Sequence, residues 1–165
     1  MSQSVLTGAG TFTVDGTLNW ANGTLSGAGV TTIGNGGRLI IGSGGVTLSR
    51  TLHNGGVGTW SGGNLTVSAG AIFSNQVAGV FDITGDGRWS GGASAPINNA
   101  GLFRQAAGTA GTIITTPFNN SGTLQVLAVT LNLNLGGSHT GIFSNAAGAT
   151  LNLGGGTVRP GGCQR

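Results

Sequence analysis

The stretch Phe118-Asn119-Asn120-Ser121-Gly122-Thr123-Leu124-Gln125-Val126 returns in altered form along much of the chain. Its grammar is an apolar residue, an Asn two places on, a Gly, then an alternating apolar pair. Further copies start at Leu52-His53-Asn54, Phe73-Ser74-Asn75, Ile97-Asn98-Asn99 and Phe143-Ser144-Asn145. The motif asparagines are therefore Asn54, Asn75, Asn99, Asn120 and Asn145. They recur about every 21 to 25 residues, and a near-constant period in that range marks a solenoid. One such unit is too short to bury its own apolar side chains, so it has to stack on its neighbours.

Composition decides which secondary structure fills the units. There is no Lys and no Glu, and 36 of the 165 residues are Gly. Inside regular elements each glycine costs roughly 0.5–1 kcal/mol relative to Ala, so most must lie in turns and corners. Alternation of period two recurs between them, as in Leu65-Thr66-Val67, Phe81-Asp82-Ile83 and Leu131-Asn132-Leu133-Asn134-Leu135. The Ala-rich piece from Gln105 to Ala110 carries Gly108 and is followed by Gly111, which predicts a turn rather than a helix. Antiparallel hairpins would need a tight turn after every strand and would leave no longer period. A motif returning once per unit in one orientation instead predicts parallel ladders: an all-β fold, a parallel β-helix of about seven coils over residues 1–158, with an irregular tail at 159–165. At roughly 4.8 Å per layer the rod would be about 34 Å long, and the crossover rule for parallel strands favours a right-handed winding.

In that geometry the motif asparagines form a column at one corner, where Asn tolerates left-handed backbone angles and its amide can bond along the stack. Phe73, Phe118 and Phe143 are expected to stack inside, beside Ile97.

Three aspartates, Asp15, Asp82 and Asp86, stand against six scattered arginines. The high pI thus reflects few acids rather than a basic patch, which argues against a nucleic-acid partner. No apolar run is long enough to insert in a membrane as a helix, and no basic-plus-apolar leader is visible at the start. Cys163, the single cysteine, reads as a bystander thiol.

The runs Trp60-Ser-Gly-Gly-Asn-Leu-Thr-Val, Ile97-Asn-Asn-Ala-Gly-Leu-Phe-Arg, Phe118–Val126 and Ala149-Thr-Leu-Asn-Leu resemble the Gly/Asn/Thr-rich repeats of bacterial autotransporter-like and haemagglutinin-type surface proteins. The resemblance covers about Leu6 to Val158. It implies a β-helical passenger, an extracellular or cell-surface setting and a structural or adhesive role; the partners expected of this chain are cell-surface glycans or, end to end, further copies of itself.

Other chemistries are weighed against bland alternatives. Carbohydrate-active β-helices of the polysaccharide lyase or hydrolase kind need clustered acids; here Asp82 and Asp86 read as solvated surface carboxylates, and no catalytic residue is assigned. His53 and His139 hold different positions relative to the motif, so neither a metal site nor a cofactor is expected. Trp20, Trp60 and Trp89 each precede a small-residue turn; exposed in a row they would stack on sugar rings, and buried they would cover the core at a corner. An ice-binding face would require Thr-x-Thr on successive coils, whereas only Thr11-Phe12-Thr13 has that form. Ladder edges at the ends allow end-to-end self-association. The reading that results is a non-enzymatic structural or adhesive module, with a carbohydrate-binding or carbohydrate-active β-helix as the alternative.

Overall fold

Strands of two to five residues, broken by glycine-rich corners, wind into three sheets in which every named pairing is parallel. The computed structural model describes residues 4–155; Cys163 and the expected tail lie outside them. Among the described residues there is no helix. Sheet A has eight strands, sheet B six and sheet C seven, and the chain visits them in the order A, B, C before rising to the next layer. One coil, for example, runs through Gly87–Ser90 in sheet A, Ile97–Asn99 in sheet B and Leu102–Gln105 in sheet C. The architecture is a parallel β-helix of about seven turns.

Coil length varies while register is kept. Leu65 pairs with Trp89, Trp89 with Ile114 and Ile114 with Leu133, the last step being clearly shorter than the two before it. The corners absorb the difference. The segment between Gln105 and Thr112 is the expected turn, and Asp86 of the coil beneath holds it. The Asp86 carboxylate accepts bonds from the Thr109 hydroxyl and from the backbone N–H groups of Thr109, Ala110 and Gly111. Those bonds hold its carboxyl well below the usual range.

Inward positions of all three sheets form one core. Its middle is aromatic: Trp60, Trp89, Phe73, Phe81, Phe103 and Phe118 are fully buried and touch in sequence, with ring centroids 4.9–5.8 Å apart along the path. Space for them comes from small residues on neighbouring coils. A Cβ on Gly58 would lie 2.6 Å from the Phe81 ring, and one on Gly87 would lie 2.7 Å from the Trp60 ring. Size is thus balanced across layers, as close packing demands. Two expectations are corrected here. Phe143 pairs with Leu124 in sheet C and does not join the column of Phe73, Ile97 and Phe118 in sheet B. Leu135 lies beyond its strand in a turn and is exposed, so only Leu131 and Leu133 of that run face inward.

A buried arginine secures the first corners. Arg50 donates from Nε to the Gly29 carbonyl, from one terminal nitrogen to Ser26 and from the other to Gly10. It is 4% exposed, so a cation from one coil is solvated by backbone oxygens of the two beneath it.

The motif glycine has a steric reason rather than a conformational one. Gly37, Gly56, Gly79, Gly101, Gly122 and Gly141 stand just before sheet C, and a Cβ on any of them would overlap a backbone carbonyl oxygen of the coil beneath. Gly101→Ala should therefore destabilise the fold by about 1–3 kcal/mol, as overpacking does. Gly36→Ala, in a turn with nothing near the added methyl, should stay within about 0.5 kcal/mol. Urea unfolding of the two variants checks the contrast, and equal stabilities would refute it.

Candidate functional site

The motif asparagines end the strands of sheet B, where parallel register sets one over the next: Asn54 on Asn75, Asn75 on Asn99, Asn99 on Asn120. All four are 0–1% exposed. The Nδ2 groups of Asn54, Asn75 and Asn99 each donate to the next Oδ1, at 2.9, 2.9 and 2.7 Å for the three steps. Each Nδ2, that of Asn120 included, also reaches the carbonyl that opens sheet C one coil on, Val80, Leu102, Thr123 and Ile142 respectively. The ladder thus ties the bend between sheets B and C of one coil to the next. Its first acceptor, Asn54 Oδ1, is unpartnered because Ile33 occupies the position beneath.

Two details differ from the expected column. The asparagines are extended strand residues; the described non-glycine residue with a left-handed φ is Val129, at 51°. Asn145 is not a rung. It pairs with Val126 in sheet C and is exposed. The position above Asn120 belongs to His139, through a parallel bridge. His139 is 4% exposed, packs edge-on against Phe143 with centroids 5.0 Å apart, and its Nδ1 has no hydrogen-bond partner. Burial lowers its pKa.

The tryptophans form no exposed row. Trp20 and Trp60 are inward residues of sheet C, Trp89 is an inward residue of sheet A, and all three are at most 4% exposed. Stacking on a sugar ring needs an open aromatic face, so the glycan reading of these three residues is withdrawn.

Asp15 is exposed, and Asp82 and Asp86 carry hydrogen bonds at the surface. Asp82 faces outward on sheet C beside Arg104 of the next coil, in a two-point ion pair with Nε–Oδ1 2.6 Å and terminal N–Oδ2 2.8 Å. The bond to Asp82 raises the Arg104 pKa. Asp86 accepts the bonds of the 109–111 loop as described and stays open to solvent. Neither is poised as a general acid or base. His53 points outward from sheet B while His139 points inward, and among the described residues no three of His, Cys, Asp and Glu gather where they could hold a metal.

What sequence reasoning missed is the outer surface. On sheet A a column of hydroxyls runs Thr24, Thr47, Thr66, Ser90, Thr115. The outward column beside it mixes Asn64, Arg88, Ile113 and Asn132, so no Thr-x-Thr face repeats. On sheet B the central outward column runs Thr13, Thr32, His53, Ser74, Asn98, Asn119. Near its upper end a groove of about 190 Å³ opens beside Asn98, Asn119, Ser121, Ser138 and Thr140. These columns become legible only once coil lengths are known, since the spacing between members changes from one coil to the next.

Comparison of the chain with protein-family models, curated proteins and solved structures returned no match.

Acid sensitivity follows from His139. An unfolded histidine takes up a proton near pH 6.5, while the buried ring resists it until lower pH. The unfolded state therefore binds more protons in that window, and stability is full above about pH 6.5 and falls as pH drops below it. His139→Asn should remove that slope and, by extending the amide column, retain stability at pH 7.5. Denaturant midpoints of both proteins between pH 7.5 and 5 provide the check; parallel curves would contradict the assignment.

Proposed function

We propose that this chain is a non-enzymatic structural or adhesive β-solenoid module of a bacterial surface or secreted protein. The observation that carries the reading is where the buried polar groups point. The amides of Asn54, Asn75 and Asn99 bond from one coil to the next, and Arg50 reaches two coils below its own. These amides and this guanidinium are directed along the rod axis, where they link layers. An enzyme interior would instead gather titratable groups around one cavity. Here Asp82 is held by Arg104 and Asp86 by the 109–111 loop, while Asp15 is an exposed carboxylate in the first coil. The surface setting is supported by the resemblance of the repeats, and the glycine-rich corners let each coil sit closely on the last.

A rod of this kind resists extension layer by layer, because apart from the reach of Arg50 its side-chain bonds join each coil to the one next to it. Single-molecule pulling from the two ends should release one coil at a time in increments of about 65–90 Å, at roughly 3.3–3.6 Å per residue. The middle coils, with the aromatic path and the amide ladder, should yield last and at the highest force. Loss of the whole domain in one low-force step would reject the mechanical role.

A further inference from the structure

The sheet B face carries a regular column of hydrogen-bonding side chains with no carboxylate and no arginine among them. Six consecutive layers present Thr13, Thr32, His53, Ser74, Asn98 and Asn119 outward at the same position. Ser138 continues the line, since its neighbour His139 pairs with Asn120. Sheet C differs: its outward columns include Val57, Val80 and Leu102 in one and Asp82 and Arg104 in the other.

The amides at the upper end are fixed in orientation. Asn119 Nδ2 donates to Asn98 Oδ1 at 2.9 Å, and the Ser138 backbone N–H donates to Asn119 Oδ1 at 3.0 Å. One N–H of the Asn119 amide and the spare lone pairs of both Oδ1 atoms remain to face a ligand. Ser138 and Thr140 are exposed at the same groove, and no charged side chain lines it. The buried rungs Asn99 and Asn120, bonded to each other, also line it, so the walls stand on the amide ladder.

From this arrangement we infer that the groove at Asn98, Asn119, Ser138 and Thr140 binds a neutral polysaccharide chain lying along the rod axis. The proposal rests on the adhesive half of the reading above and replaces the tryptophans with amides as the recognising groups. A sugar hydroxyl donates and accepts, and so does a carboxamide, so a pre-oriented amide pair meets vicinal hydroxyls at a reduced ordering cost on the protein side. Layers about 4.8 Å apart present equivalent groups at a fixed interval, which suits a polymer whose hydroxyls also recur at a fixed interval. The neutral lining disfavours anionic chains, because desolvating a carboxylate or sulfate with no cation opposite is costly.

The test is affinity electrophoresis through gels containing dextran, mannan, laminarin or xyloglucan, with heparin as the charged counterpart. The protein should be retarded by at least one neutral polymer and not by heparin. Asn98→Ala/Asn119→Ala should weaken that retardation by about tenfold or more, the equivalent of about 1.4 kcal/mol. Thr66→Ala/Ser90→Ala, on sheet A, should leave it unchanged. Circular dichroism melts of both double variants establish that each is folded. Retardation by heparin alone, by no polymer, or equally in both double variants overturns the site. The pulling experiment is independent of this outcome, so a rod that resists force but ignores every neutral polymer would lose the glycan site and keep its mechanical role.

Discussion

Layers of a parallel β-helix stand roughly 4.8 Å apart, and every other feature of this molecule answers to that fixed spacing. A side chain at a given position meets the side chain at the same position one coil away, in register and at nearly the same distance each time. Only a few solutions satisfy the interior. An amide is one, since its donor and acceptor lie on opposite sides and identical residues can bond in line, as Asn54, Asn75, Asn99 and Asn120 do. Alternation of size is another, with Phe81 over Gly58 and the Trp60 ring against Gly87. Absence of a side chain is the third, where the column from Gly37 to Gly141 lets the backbones of adjacent corners approach.

These solutions differ in where they act. The ladder bonds are buried, and buried amides left without partners cost about 1–3 kcal/mol each, so the column specifies register as much as it stabilises. A slip of one residue would aim the amides at solvent and the outward residues at the core. The aromatic path adds about 0.5–1.5 kcal/mol per well-placed ring pair beyond burial, concentrated in the middle coils. Toward the ends both devices give out. Ile33 and Val14 lie below the ladder, His139 above it, and Val5, Phe12, Ile142 and Leu153 are exposed.

The architecture was legible because stacked residues must resemble one another, so the repeat is written into the chain. Four of the five motif copies fall where like meets like. The fifth, Phe143-Ser144-Asn145, has the same spelling as Phe73-Ser74-Asn75 and sits in another sheet, since short and long coils both occur and spelling alone cannot choose between them. Trp60-Ser61-Gly62-Gly63 and Trp89-Ser90-Gly91-Gly92 show the same ambiguity, one leading out of sheet C and the other out of sheet A. The roles of Arg50 and Asp86 were invisible for a related reason: their partners are backbone groups at corners one or two coils away in the chain. The outward amide track on sheet B was hidden because outward positions carry no apolar signal to set their phase.

Distances along one outward column measure the stacking itself. With Cys163 replaced by Ser, spin labels on cysteines placed at Thr13 and Asn98, Thr13 and Asn119, or Thr13 and Ser138 span four, five and six layers of sheet B. Pulsed electron–electron resonance should return backbone separations of about 19, 24 and 29 Å, rising by about 4.8 Å per layer. A Thr13–Ser138 separation equal to or shorter than Thr13–Asn98 would mean that the chain folds back on itself, and the stacked-coil account would fail.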